Sequence, residues 1–306
     1  MGHDHDHSTG NIRMAFVLNL SFTIIEVIGG LYTNSLAILA DALHDLGDSL
    51  SLGMAWYFQK LSQKGRTNTY SYGYKRFSLM AAIINAVVLV VGSLVILSKA
   101  VPQLFDPGST DAQGMMYLAI LGVLVNGAAV FRLKGGKTMN EKVVYLHLME
   151  DVLGWVAVLI GSIVMMYFDA PFIDPLLSVI ISIYVLFNVF KNLRKSMKIV
   201  LQAVPEGIDL EKLKNKLLSV GPIAGIHDCH IWSMDGNYNV MSVHVEVEAD
   251  HRLSELYAIK NSACEVLSDD SIHHLTMEFE IKGQPCHQLE TGNQHSTKEE
   301  DQRTEQ

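Results

Sequence analysis

The chain has 306 residues, of which 49% are hydrophobic and 18% charged, and its formal net charge is -9. So little charge cannot coat a water-soluble protein of this size, which directs attention to a membrane class, and the acidic balance excludes a basic nucleic-acid groove. Three cysteines, Cys229, Cys264 and Cys286, all lie in the last third; an odd, widely spaced set argues against a disulfide framework and for a reducing compartment.

The chain opens with Gly2-His3-Asp4-His5-Asp6-His7, either an engineered scar or a native metal-scavenging tract, within a polar stretch of residues 1–11. The first apolar run follows at once without a small-residue cleavage site and reads as a retained span. A hydrocarbon core about 30 Å thick takes roughly 20 apolar residues of helix. Runs of that length fall at Ile12–Tyr32, Leu36–Gln59, Phe77–Ala100, Ala112–Phe131, Val143–Phe168 and Phe172–Phe190. Lysine and arginine flank alternate connections: Lys60, Lys64, Arg66, Lys75 and Arg76 the second, Arg132, Lys134, Lys137 and Lys142 the fourth, and Lys191, Arg194, Lys195 and Lys198 after the sixth span. By the positive-inside bias, both termini face the cytosol of a multi-pass protein in the cell's inner (plasma) membrane, with lipid as its surroundings.

Past Pro205 the pattern changes. Asp209–Val220 has helical spacing, Ile226–Met234 and Val240–Val247 alternate as strands around a Gly236-Asn237 break, Leu253–Leu267 is helical and Ile272–Ile281 reads as a last strand. The fold class is therefore a membrane all-α domain of six helices, residues 12–198, followed by a small open-faced αββαβ domain, residues 206–283, with its helices on one face of the sheet. The polar tail, residues 284–306, reads as disordered.

Ionisable side chains inside apolar spans mark pathways or bound ions. His44 and Asp48 in the second span and His147 and Asp151 in the fifth repeat the spacing His-x-x-x-Asp. On a helix these positions share one face, so each pair aims an imidazole nitrogen and a carboxylate oxygen at one point, and two such helices supply four ligands. Four N/O donors in tetrahedral array suit Zn²⁺, with Cd²⁺, Co²⁺, Ni²⁺ or Fe²⁺ as companions; Mg²⁺ and Ca²⁺ prefer more oxygens, and Cu(I) prefers sulfur. Asp41 lies one turn before the pair and is placed to orient a ligand histidine. Asp45 and Glu150 sit on another face, with a supporting role or exposure at a cavity rim both open. Asn19, Glu26 and Asn126 are expected to hydrogen-bond between helices. Metal binding needs neutral imidazole and ionised carboxylate, so a proton competes with the cation, and an inward proton gradient drives metal outward through a site of alternating exposure. No phosphate-binding Gly-x-x-x-x-Gly-Lys loop is present to supply ATP chemistry.

At Asn34-Ser35-Leu36-Ala37-Ile38-Leu39-Ala40-Asp41-Ala42-Leu43-His44 with Asp48, at Tyr72-Gly73-Tyr74-Lys75-Arg76, at His147 with Asp151 and at His227-Asp228-Cys229-His230-Ile231-Trp232, the sequence resembles the cation diffusion facilitator family of metal/proton antiporters, in particular its zinc-transporting branch. The resemblance covers nearly the whole chain. It implies a homodimer with one transport site per subunit, a non-enzymatic secondary transporter, and a His-Asp-His-Asp set that prefers zinc to cadmium. It also implies cytosolic zinc, with a regulatory or dimer-stabilising role, at His227 and His244; His230, Cys286 and His287 are further candidates, although a surface His or Cys is more often inert. The histidine-rich loop that many members carry between the fourth and fifth spans is replaced by Lys134-Gly135-Gly136-Lys137. Arg76 faces Gln202 where some members have an acidic residue, leaving Glu206 as a replacement partner. A metal-gated channel, an intramembrane metalloenzyme and a metal sensor compete with the transporter reading. The first wants a continuous polar stripe, the second an open coordination position and a general base, and the third leaves a paired membrane site without purpose.

Overall fold

The computed structural model describes residues 5–62, 65–133, 139–248, 251–284 and 286. The chain divides at Ser196/Met197 into two compact units. The first is helical: α1 (His5–Thr33), α2 (Leu36–Ser62), α3 (Phe77–Gln103), α4 (Ala112–Leu133), α5 (Met139–Phe168) and α6 (Ile173–Val200). Five of these, all but α2, are long and apolar enough to cross a membrane. The second helix is as long but concentrates Asp41, Asp45 and Asp48 within three turns, and those carboxylates lower its mean hydropathy below that of a bare span. The molecule is a six-helix membrane domain with an α+β domain after it.

Helix α1 packs along α2, α2 along α3 and α4 along α5, while α1 also meets α4 and α2 meets α5. Many large apolar side chains remain exposed on these helices, among them Leu18, Leu31, Leu124, Leu153 and Phe187; outward apolar faces are what lipid contact requires. The interior centres on Trp155, packed with Ala37, Ile38, Met115, Ala119 and Val158, with Phe22 edge-on to it at 6.0 Å. Only Asn34 and Ser35 separate α1 from α2, and Asn34 turns the chain at φ 52°. The side chain of Asn34 donates to the Ser109 carbonyl at 2.9 Å, which fastens this turn to the α3–α4 connection.

In the second unit the order is α7 (Leu210–Leu218), β1 (Ile223–Ser233), β2 (Asn239–Val247), α8 (Leu253–Val266), a 3-10 turn over Ser268–Asp270, and β3 (Ile272–Ile281). The Asp209 carboxylate starts α7 by accepting from the Glu211 and Lys212 amides at 3.0 and 3.2 Å, as a helix N-cap should. Central β2 pairs antiparallel with β1 and parallel with β3. Met241, Val243, Val245 and Val247 of β2 join Leu213, Leu217, Ile259 and Ala263 of the helices in one core. The strand period of two turns the alternate residues to the other face. Asp235 closes the β1–β2 hairpin by accepting from the Asn237 and Tyr238 amides, and Gly236 takes the positive φ of 95° that a side chain would resist. The expected disordered tail, except Gln284 and Cys286, lies outside the described residues, as do His287 and the Lys134–Lys137 connection.

Candidate metal centres

Two clusters of metal-capable side chains are found among the described residues. The first lies in the membrane unit. Two turns into α2 and two turns into α5, the His-x-x-x-Asp pairs face each other. One donor atom each from His44, Asp48 and His147 lies within 4.8 Å of the others. Asp48 Oδ2 is the common point, 3.8 Å from His44 Nε2 and 3.1 Å from His147 Nε2. This oxygen is buried and makes no hydrogen bond of acceptable geometry, so it is an acceptor aimed into the site without a good donor. Asp151 stands just outside, with Oδ2 4.0 Å from His147 Nε2. The two imidazoles meet edge to face at 6.0 Å, spaced to admit an ion between them.

The surroundings differ from expectation in part. Asn19 does bridge helices, donating to the Asp45 carbonyl at 3.1 Å and to Ser49 Oγ at 3.0 Å. Glu26 of α1 lies within hydrogen-bond reach of the Asp45 carboxyl of α2, the interhelical role expected of it, whereas Asn126 Nδ2 is buried and finds no acceptor among the described residues. Asp41 is buried but makes no hydrogen bond to a site histidine among the described residues; its Oδ1 is directed toward Gly154 of α5, because helical geometry turns the carboxyl past the ligand face. Asp45 is buried and Glu150 exposed, which separates two residues that the sequence treats alike. Glu206 pairs with Lys198 at 3.4 Å.

The second cluster occupies the face of the sheet opposite the helices. His227 lies opposite His244 across β1 and β2, and His244 opposite Glu278 of β3. A bulge between His227 and His230, with Asp228 at φ 46°, adds one residue to β1. That residue puts His227 and His230 on the same face, which an unbroken strand would forbid. His244 is almost wholly buried; its Nδ1 sits 2.9 Å from Glu280 Oε1 and its Nε2 3.4 Å from Glu278 Oε2. His227 Nε2 lies 2.9 Å from Glu280 Oε2, yet buried and without well-aligned hydrogen bonding. Cys286 Sγ closes the group at 3.5 Å from His244 Nδ1. Donor atoms of His227, His244, Glu280 and Cys286 lie within 4.8 Å of one another. Burial alone would raise the Glu280 carboxyl, but hydrogen bonds from Cys286 and His244 and the nearby imidazoles outweigh it and hold Glu280 below its ordinary range.

His230 is not part of that quartet; its Nε2 pairs with Asp228 Oδ1 at 2.8 Å on the surface. Sequence reasoning overlooked Glu280, Glu278 and Asp228. A signal for the glutamates was present: in Met277-Glu278-Phe279-Glu280-Ile281 the acids alternate with apolar residues, so both occupy the face opposite the core. The Asp228 bulge leaves no such periodic trace.

Residues 12–201 match the family model described as the cation efflux transmembrane domain, and residues 205–280 the one described as the cation efflux protein, cytoplasmic domain. Among characterised proteins, the chain is 35% identical over 288 residues to a cadmium, cobalt and zinc/H(+)-K(+) antiporter of Bacillus velezensis, covering 92% of both chains. It is 31% identical over 297 residues to the metal cation efflux system protein CzcD of Cupriavidus metallidurans, covering 94% of this chain and 92% of the other. It is 30% identical over 301 residues to the zinc transporter ZitB of Escherichia coli, covering 94% of each.

Proposed function

The chain belongs to the cation efflux family, and from that premise we propose that it exports Zn²⁺ from the cytosol in exchange for protons, through a membrane site made by His44, Asp48, His147 and Asp151. One observation carries the reading: an unsatisfied carboxylate oxygen of Asp48 between two imidazoles, at the crossing of two helices that offer no other reason to bury those groups. The imidazoles of His44 and His147 present nitrogen donors, and Asp48 and Asp151 supply the negative charge that compensates a divalent cation. Such a set suits Zn²⁺, the similarly sized Co²⁺, Ni²⁺ or Fe²⁺ and, with larger ligand distances, Cd²⁺.

Proton exchange follows from the same atoms. A proton on His147 Nε2, 3.1 Å from Asp48 Oδ2, occupies the electron pair that the cation needs; ligand protonation and metal binding exclude each other. Loading from the cytosol therefore releases protons, and reprotonation on the far side expels the metal, provided the site opens to one side at a time. The Bacillus relative, an antiporter of metal against H(+) and K(+) by its name, is in keeping with this scheme. The basic residues on alternate connections put both termini in the cytosol of a cell bearing this protein in its inner membrane.

The sheet-face quartet of His227, His244, Glu280 and Cys286 fits a second zinc. Two nitrogens, a carboxylate and a thiolate are a donor set that zinc accepts, and the poorly hydrogen-bonded His227 Nε2 offers, when deprotonated, a lone pair for it. There zinc would tie β1, β2, β3 and the start of the tail together and report cytosolic metal to the transport domain of a homodimer.

The test is zinc uptake into proteoliposomes that hold the purified protein and a trapped zinc indicator, with and without an imposed pH gradient. Flux that follows the gradient and disappears in Asp151→Ala is the expected result. Flux indifferent to both points to a channel or a leak and removes the four-ligand site.

A further inference from the structure

A membrane helix has polar amides at its start that no residue of its own can satisfy, and in hydrocarbon an unsatisfied amide costs several kcal/mol. At α2 each is accounted for. The Ser35 amide donates to the Gly30 carbonyl of α1 at 3.0 Å, and the Ile38 amide to Ser35 Oγ at 3.2 Å. The Leu36 and Ala37 amides donate to the two carboxylate oxygens of Asp174 at 2.8 and 3.2 Å, and the Ser35 hydroxyl donates to the same group. Asp174 belongs to the first turn of α6 and is fully buried. Its acceptance of three donors from another helix, 137 to 139 residues away in sequence, is not needed to start α6 itself. A negative charge at the positive end of α2 is also favourable to the helix dipole.

We propose that Asp174 is a positioning residue for transport: its carboxylate, delivered from α6, closes the start of α2 and holds the helix that bears His44 and Asp48 at a fixed depth and rotation. The inference rests on the assignment of those two residues as ligands. Ala37 precedes His44 by two turns of helix, so the tie acts through a stiff rod of about 10 Å. A metal site tolerates ligand displacements of only about 0.2 Å, whereas a helix freed at one end shifts by more than that. Asp174 does not touch the ion; it acts through α2.

The experiment compares Asp174→Asn, Ser35→Ala and Asp48→Ala in the full-length protein. Asparagine keeps the size of the group but can no longer accept from all three donors, and Ser35→Ala removes one donor and the Ile38 partner while leaving the carboxylate. The readouts are zinc affinity, by competition with a metal indicator, the KM and maximal rate of zinc uptake, and thermal stability. The expected result is a loss of affinity and a matching rise in KM of about tenfold for Asp174→Asn, from one charge-assisted interaction worth about 1.4 kcal/mol, and a smaller rise for Ser35→Ala, with the maximal rate little changed and the melting temperature lowered in both because each leaves an amide of α2 without its acceptor. If Asp174→Asn does not fold, the rise in KM for Ser35→Ala carries the test. Native affinity and KM in both variants, or a fall in maximal rate alone, overturns the positioning role. Asp48→Ala separates the two assignments: if it abolishes zinc uptake and the zinc bound beyond the sheet-face quartet while the other variants behave normally, Asp174 is wrong and the ligands stand, whereas native uptake and native binding stoichiometry in Asp48→Ala remove the membrane site itself.

Discussion

Gly122 of α4 lies against the indole of Trp155 on α5, and a Cβ built there would overlap the ring atoms Cγ, Cδ2 and Cε2. The ring has nowhere to go: it is 1% exposed and held by Ala37, Ile38, Met115, Ala119 and Val158. Gly122→Ala therefore forces α4 and α5 apart, at a cost of about 1–3 kcal/mol for an overpacked core. Asp151 is one turn before Trp155 and His147 two turns before it, so the motion of α5 is felt at the metal site. If half of the strain is relieved by moving α5 away from α2, zinc affinity falls roughly two- to tenfold. Zinc titration of the purified variant, with thermal unfolding beside it, measures both parts. Trp155→Phe, which removes part of the offending ring, should recover at least half of the loss when combined with Gly122→Ala, because touching residues are not additive. Native stability and native affinity in Gly122→Ala would refute the claim that this contact sets the position of α5.

Cys286→Ser should weaken zinc at the sheet-face quartet by about tenfold or more, since hydroxyl is a far poorer zinc ligand than thiolate, while the membrane site still binds; a two-site titration that does not change would remove Cys286 from the set. Leu217→Ala, at a side chain with no exposed area in the core of the second unit, should cost about 2–5 kcal/mol, read as a lower unfolding midpoint of that unit; a loss below 1 kcal/mol would mean the core relaxes around it. Burial, with Lys214 pulling the other way, leaves the Cys229 thiol above its ordinary value of 9.0. A raised thiol pKa means less thiolate at any given pH, so alkylation of Cys229 by iodoacetamide in a Cys264→Ser, Cys286→Ser background should keep accelerating as pH rises past 9.0. A plateau below that pH would contradict the burial effect.

The helical spans are legible because a bilayer imposes one length and one polarity on a run of residues: the starts at Leu36, Phe77 and Ala112 coincide with the helix starts. Ends are less so. Helix α6 runs to Val200, ten residues past the apolar stretch, because Lys191–Lys198 favours helix in water as readily as the apolar run does in lipid. The strand Ile272–Ile281 is met at both ends, since its alternation runs unbroken from Leu275 to Ile281 after an irregularity at His273, whereas β1 starts three residues early, at Ile223, where bulges blur the period. Paired spacing was enough to nominate His44, Asp48, His147 and Asp151. It could not show that Asp48 is the meeting point or that Asp151 lies farther off, which depends on how α2 and α5 cross. Asp174 illustrates the limit most sharply: an Asp-Pro at the start of a span reads as a local helix start, and the donors it accepts from are more than a hundred residues away in sequence.

The three aspartates that keep α2 from registering as an apolar span also bear on how the protein enters the membrane. On insertion scales each aspartate at helix centre opposes entry by about 2.5–3.5 kcal/mol, so together they oppose it by roughly 8–10 kcal/mol. The leucines and isoleucines of α2 return only a few tenths of a kcal/mol each. Alone, this segment would be passed through the insertion machinery rather than released into lipid. The two-residue turn at Asn34 and Ser35 joins it to α1, which crosses readily, so the pair enters as one hairpin during synthesis. Asp41 and Asp48 then wait for α5, which is made about a hundred residues later. The residues assigned to the cargo thus make α2 depend on its neighbours for a place in the bilayer.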